Sequence, residues 1–349
     1  QNFLRIRYRI DGVLRQIRSL HKTYWPAMAV RLKVMAKMNI AETRAPQDGR
    51  ISATMSGRVV DFRVASLPTT HVENIVLRIL DRQKGIVPLE KLNLEEGQLD
   101  LLKRMIARPE GIIMVTGPTG SGKTTTLYSI LNHINSDGIN IMTLEDPVEY
   151  PMTLIRQTSV SEAAKLDFAN GIRALMRQDP DAILVGEVRD HETAEMAFRA
   201  AMTGHQVYTT LHTNSAVGAI PRLLDIGIVP DVMAGNIIGI VAQRLVRKLC
   251  RTCRQAYEPD ARERRLLGVA QTEQVQLYRA VGCEQCDYQG YRGRNGILEL
   301  LKIDPGLDEL IARRATAREI LTAARAKGFK TLADDGVRLV RAGATSLEE

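Results

Sequence analysis

The sequence predicts an α/β protein whose core is a phosphate-loop domain built on a parallel sheet, preceded by a small α+β domain. Two observations carry this. From about residue 98 short apolar runs, "GIIMVTG", "INIMTLED", "AILVGE" and "HQVYTTLHT", alternate with helical stretches, as in a parallel sheet with helices on both faces. Between the first run and the helical "TTTLYSILNHI" lies "GPTGSGKTTTL", residues 117–127, which fits the phosphate-binding pattern G-x-x-x-x-G-K-[ST].

In chain order, residues 1–80 read as the small domain. "FLRIRYRIDGVLRQIRSL" predicts two strands around an Asp11-Gly12 turn, "WPAMAVRLKVMAKMNI" a helix whose Met and aliphatic stripe faces a core, and "RISATMSGRVVDFRVASLP" a hairpin turning at Ser56-Gly57. Residues 81–97, polar and holding Gly85 and Pro88, read as an interdomain linker. Residues 98–245 form the core, RecA-like in outline, 246–298 a cysteine-bearing segment, and 299–349 a C-terminal helical subdomain.

Composition bounds the function. Of 349 residues 44% are hydrophobic and 25% charged, ordinary for a globular chain, and no apolar run approaches the roughly 18 residues of a membrane span. The chain opens at Gln1 with neither Met nor a signal-peptide pattern, which predicts a piece of a cytosolic protein. Net charge is +8, and residues 1–40 carry all of it, with nine Lys/Arg against one Asp. Strand alternation puts Arg5, Arg7 and Arg9 on one face, suited to solvent, an acidic surface, lipid headgroups or a neighbouring subunit's nucleotide. With 4% aromatic residues, base stacking is poorly supplied and no nucleic acid partner is expected.

The phosphate loop has the most specific chemistry. Gly117, Gly120 and Gly122 let the backbone aim successive N–H groups at phosphates, with Pro118, Thr119, Ser121 and Thr125 completing the cradle. Lys123 reaches the β- and γ-phosphates and the Thr124 hydroxyl suits Mg²⁺. In "DPDAILVGEVRD" a buried strand ends at Gly186-Glu187, where Glu187 can hold a Mg²⁺-bound water and Arg189 is close enough to fix it. "TLEDPVEY" offers Glu145, Asp146 and Glu149 at another strand end, and one of them can orient an attacking water. In "TGHQVYTTLHTN", His212 falls at a strand's carboxyl end, the ligand crevice of an open α/β sheet. The cysteines, Cys250, Cys253, Cys283 and Cys286, form two C-x₂-C pairs that predict a tetrahedral, structural Zn²⁺ site. The 29 residues between the pairs exceed the usual spacing and predict an insertion between the knuckles.

These residues resemble the secretion ATPases of type II secretion and type IV pilus extension. "APQDGRI" and "DFRVASLP" are similar to that family's second N-terminal domain, "LEDPVEY" to its Asp box, "RQDPDAILVGEVRDHETAEMAFRAAMTGH" to its Walker B region and "TGHQVYTTLHTN" to its His box. "AQRLVRKLC" to "GYRGRNGILELL" is similar to its tetracysteine segment, which the pilus retraction ATPases lack. The resemblance implies a homo-hexameric ring at the cytoplasmic face of the inner membrane. ATP would drive rotation of the N-terminal domain against the core, acting on an inner-membrane platform and its assembly proteins to build a pilus or pseudopilus. It implies Glu149 as water-activating base, with Glu145 next in line, Glu187 as the Mg²⁺-linked acid, His212 as γ-phosphate sensor, and Arg50, Arg63 and Arg78 as phosphate clamps. A DNA-translocating or conjugation-type secretion ATPase is the alternative. The chain begins inside the family's second N-terminal domain and stops at "GATSLEE", so the resemblance implies further sequence at both ends.

Overall fold

The computed structural model describes residues 2–81, 86–161 and 163–349. The chain divides into two compact units, Gln1–Ile86 and Val87–Glu349.

In the first unit β1 (Phe3–Ile10) and β2 (Val13–His21) pair antiparallel around Asp11-Gly12, whose φ values of 49° and 88° give the left-handed turn the dipeptide favours. Arg5, Arg7 and Arg9 are exposed. Helix α1 (Trp25–Met35) starts with Pro26 in its first turn. Strands β3 (Gln47–Met55), β4 (Arg58–Leu67) and β5 (Asn74–Asp81) form an antiparallel sheet. The expected burial of the methionine and aliphatic stripe holds only in part: Leu32 and Met38 pack against the unit's core, and Met28 is half-buried. The helix buries Ala29 and Lys33, whereas Val30, Val34 and Met35 stand 46%, 50% and 41% exposed. The core beside it is small, built on Ala36, Ile51 and Val64, so it covers one narrow stripe of the helix. Lys33 is held inside by Glu73 and by the Glu42 carbonyl, which accepts at 2.7 Å. A buried ammonium needs such partners.

The second unit opens with buried Leu89, so the latter part of the expected linker belongs to this core; residues 82–85, with Gly85, lie outside the described residues. In order follow α2 (Glu96–Ile106), β6 (Gly111–Thr116), α3 (Lys123–Ile134), β7 (Ile141–Glu145), β8 (Arg156–Ser159), α4 (Phe168–Leu175), β9 (Ala182–Val185), α5 (His191–Met202), β10 (Gln206–Leu211), α6 (Ala219–Asp225) and α7 (Pro230–Met233). Then come β11 (Ile237–Leu249), β12 (Gln255–Tyr257), α8 (Ala261–Leu266), β13 (Leu277–Arg279), β14 (Tyr291–Lys302), α9 (Pro305–Ala312), α10 (Ala317–Ala326) and α11 (Leu332–Arg341). Seven strands make one sheet in the order β14-β11-β6-β10-β9-β7-β8, with β14 antiparallel to β11 and the other neighbours parallel. The four expected core strands are β6, β7, β9 and β10. Strands β6, β7, β9 and β10 are buried throughout, as a sheet covered on both faces requires. No helix among the described residues is long and apolar enough to cross a membrane.

The expected boundaries at 245/246 and 298/299 fall inside β11 and β14. The cysteine segment is therefore the far end of a two-stranded ribbon whose near end belongs to the main sheet. It carries its own small core, Leu267, Val269 and Leu277 packed with Val340 of α11.

Candidate active site and cysteine cluster

The phosphate loop leaves β6, an interior strand and third of the seven, and enters α3 at its N-terminus, where unpaired backbone N–H groups and the helix dipole favour anions. Its glycines are dictated by space as well as by backbone. A Cβ on Gly117, at φ 147°, would stand 2.7 Å from Ser121 Oγ and even closer to the Gln243 carbonyl oxygen; on Gly122, at φ 92°, it would stand 2.7 Å from Gln243 Nε2. Gln243, on β11, is thus the wall behind the loop, and its Oε1 accepts from Thr126 Oγ1 of α3 at 2.6 Å. The Lys123 ammonium donates to the Gly117 carbonyl at 2.8 Å and the Pro118 carbonyl at 3.3 Å, folded back over its own loop. Partial burial lowers its pKa, opposed by the nearby Glu187 charge. Thr124 is exposed, Ser121 buried with no partner for its hydroxyl, and Pro118, Thr119 and Gly120 face solvent. Thr125 accepts through its carbonyl from Ser129 Oγ at 2.8 Å.

The acids sit on neighbouring strand ends. Glu187, two residues beyond β9, pairs with Arg189, and its other oxygen lies 3.6 Å from Nε2 of His212, the first residue after β10. Lys123, Glu187 and His212 therefore come from β6, β9 and β10, three consecutive strands at their carboxyl ends, which is where open α/β sheets bind ligands. His205 is elsewhere: its Nδ1 lies 2.8 Å from the Ala200 carbonyl at the end of α5.

Glu145, the last residue of β7, is 5% exposed and fully engaged. It accepts from Thr143 Oγ1 at 2.6 Å, from Tyr128 of α3 at 2.5 Å and from Gln157 Nε2 at 3.3 Å. Burial raises its pKa against those three donors, and the charge of Glu149 adds to the rise. Glu149 is half-buried, four residues on and past a cis Asp146–Pro147 bond; its N–H meets the Tyr128 hydroxyl at 3.4 Å. The Tyr128 and Tyr150 rings meet edge to face with centroids 6.4 Å apart. Tyr128, Gln157 and Gln243 were not legible as site residues: Tyr128 and Gln157 lie outside the quoted motifs, and Gln243 stands in "AQRLVRKLC", a stretch read only for its cysteine.

Arg50, Arg63 and Arg78, on the first unit, are directly opposite one another across β3, β4 and β5. By strand alternation the row points away from Ile51 and Val64, the sheet's buried side. The row thus sets three guanidinium side chains side by side on one face of the sheet.

The four cysteine sulfurs lie within 4.8 Å of one another. Cys250–Cys283, Cys253–Cys286 and Cys283–Cys286 are 3.9, 3.8 and 3.9 Å apart. Those separations match the roughly 3.8 Å edge of a tetrahedron whose thiolates stand about 2.3 Å from a central ion. Backbone N–H groups point at the sulfurs, from Gly282 to Cys253 at 3.3 Å and from Gly290 to Cys286 at 3.2 Å, as negatively charged thiolates would favour. The cluster can hold a metal ion.

The family model for type II/IV secretion system proteins matches residues 1–349. The type II secretion system ATPase E of Vibrio cholerae is 48% identical over 346 residues, 99% of this chain and 69% of that protein. Type II secretion system protein E of Pseudomonas aeruginosa is 47% identical over 344 residues, covering 99% and 68%. The type IV pilus assembly ATPase PilB of Thermus thermophilus is 44% identical over 351 residues, covering 100% of this chain and 40% of that one. Among solved structures, the pilus retraction motor PilT with bound ADP superposes with a TM-score of 0.68 at 28% identity, covering 100% of this chain and 90% of that one. With the phosphate loop and its neighbouring acids in place, the full-length match and these relatives lead to one conclusion: the chain belongs to the type II/IV secretion system protein family and is one of its ATPases.

Proposed function

We propose that this chain hydrolyses ATP as the motor of a type II secretion or type IV pilus assembly machine, working as a homo-hexamer on the cytoplasmic side of the inner membrane. The observation that carries the catalytic reading is the convergence of Lys123, Glu187 and His212 at the ends of β6, β9 and β10. In this reading the backbone of residues 117–125 cradles the phosphates, and Lys123 leaves its carbonyl partners to neutralise the terminal ones. Glu149 accepts the proton of the attacking water, and His212, linked to Glu187, senses the γ-phosphate. Glu145 is a positioning residue, since its three donors already occupy it. Thr124 and Glu187 would hold Mg²⁺, which when bound supplies Lewis-acid neutralisation of phosphate charge.

Arg50, Arg63 and Arg78 present guanidinium forks for phosphate oxygens, the clamp role the row favours. The cysteine cluster takes Zn²⁺, closed by four protein ligands and hence structural. Partners are the inner-membrane platform and assembly proteins, with membrane association through them and no nucleic acid. The test is phosphate release from ATP. Lys123→Ala removes the loop's only cation and abolishes binding or turnover; Glu149→Gln keeps ATP bound and lowers kcat by roughly 10²–10⁴-fold. Normal turnover in Lys123→Ala refutes the phosphate loop, and equal loss of affinity and rate in Glu149→Gln moves the base elsewhere.

A further inference from the structure

The loop that leaves β10 with His212 does not turn back into the next helix directly. It runs sideways over the carboxyl end of the sheet, and each strand it passes holds it. Thr116, the last residue of β6, accepts from the Thr213 N–H at 2.9 Å and shares a 2.7 Å hydroxyl contact with Thr213 Oγ1. Arg244, on β11, donates to Asn214 Oδ1 at 2.9 Å. Glu299, on β14, accepts from the Ala216 N–H. The anchors follow the spatial order β10, β6, β11, β14 as the loop residues follow the chain, so the loop is stretched across the crevice like a strap.

Glu299 is the far anchor and the costliest residue in it. It is 3% exposed, in the apolar run "GILELL", and stands in one row with Ala242, Thr116 and Leu211 across β11, β6 and β10. A buried carboxylate persists only where its oxygens are satisfied. Here the second oxygen accepts from the Leu332 N–H at 2.8 Å, at the first turn of α11. Both oxygens are thus committed to backbone N–H groups, one on the strap and one on the C-terminal helix. Burial raises the Glu299 pKa against these two donors.

We infer that Glu299 is a positioning residue for ATP hydrolysis, acting through the 213–216 strap to hold His212 against Glu187. The inference rests on the proposed role of His212. Replacing Glu299 by Gln leaves one good acceptor for two N–H donors, because the amide NH₂ opposes the second. The strap end slackens, His212 shifts, and a displacement near 1 Å costs up to about 100-fold in rate.

The experiment is a double-mutant cycle on the full chain with Glu299→Gln, His212→Ala and the double variant, reading kcat and KM for ATP, with thermal melting as a check of fold. The expected result is that Glu299→Gln lowers kcat by about 10- to 100-fold with KM changed by less than about threefold, and adds nothing in the His212→Ala background. Wild-type kcat in Glu299→Gln, or a full additive loss on top of His212→Ala, overturns the inference while leaving the site reading intact. Wild-type kcat in His212→Ala overturns the role of His212 and the inference with it. Should Glu299→Gln fail to fold, Glu299→Asp, which keeps the charge and shortens the reach by one methylene, enters the same cycle with the same criteria.

Discussion

Gly122→Ala asks what the wall behind the phosphate loop is worth. Gly122 caps α3 at φ 92° and ψ 15°. An L-residue held there costs about 1–2 kcal/mol in backbone strain. Its Cβ would also stand 2.7 Å from Gln243 Nε2, closer than real Cβ atoms approach, so the amide must swing away. That movement breaks the buried Thr126–Gln243 hydrogen bond, 2.6 Å long, at a further cost of about 1–3 kcal/mol once an unsatisfied buried group is left behind. The expected total is roughly 2–5 kcal/mol.

Gly120→Ala is the control, because Gly120 sits at φ 80° with nothing within 4 Å of its Cβ, so only the strain applies. Trp25, the single tryptophan, lies in the other unit, so the assay is hydrogen exchange at the β6 amides of nucleotide-free protein. Gly122→Ala should exceed Gly120→Ala by about 1–3 kcal/mol, and Gln243→Ala should remove the excess by clearing the collision. Equal losses at the two glycines, or no relief from Gln243→Ala, would refute the argument.

For the cysteine cluster, protein purified without chelator should carry about one zinc per chain by elemental analysis, and Cys→Ser at any of the four should loosen residues 250–290 to hydrogen exchange while nucleotide still binds. Four freely titratable thiols in the native protein would rule the site out. For Glu145, the folded pKa is raised by burial, so the folded state keeps a proton that the unfolded chain loses above the ordinary carboxylate value of about 4.5. Stability should therefore fall as pH rises from that value through the folded one. Glu145→Gln should flatten the melting temperature against pH across the same window; an unchanged slope would show that Glu145 titrates normally.

Much of this was legible because local chemistry and global position agreed. The phosphate loop needs a strand before it and a helix after it, and both carry their own pattern. The turns at Asp11-Gly12 and Ser56-Gly57 follow from residues that tolerate positive φ. Strands β11 and β14 escaped because nothing local marks them: "IIGIVAQRLVRKL" passes from apolar to basic residues, and "YRGRNGILELLK" opens as a polar, glycine-bearing stretch. Their pairing joins Gln243 to Leu298, across the whole cysteine segment. The exposed part of α1's stripe, Val30, Val34 and Met35, had another cause: periodicity shows that a helix has an apolar stripe but not how much surface is available to cover it. Glu299 did leave a trace, a lone acid inside an apolar run, which only its two backbone partners explain.

The β11–β14 ribbon has a consequence for where the chain divides. All that lies beyond Leu249 and Tyr291, knuckles included, hangs from the tip of a hairpin-like pair, while the residues that wall the phosphate loop sit some turns of the ladder nearer the sheet. Joining the two strands with a turn at that tip would leave every ladder of the catalytic sheet in place, and would uncover the face of α11 around Val340 that the appendage buries. An excision at residues 246–298 would instead cut both strands short of their paired length. The natural seam of the appendage is therefore the rim of the ribbon, and any change beyond that seam is felt by the C-terminal helix, through Val340 and the Arg341–Glu273 pair, before it reaches the catalytic sheet.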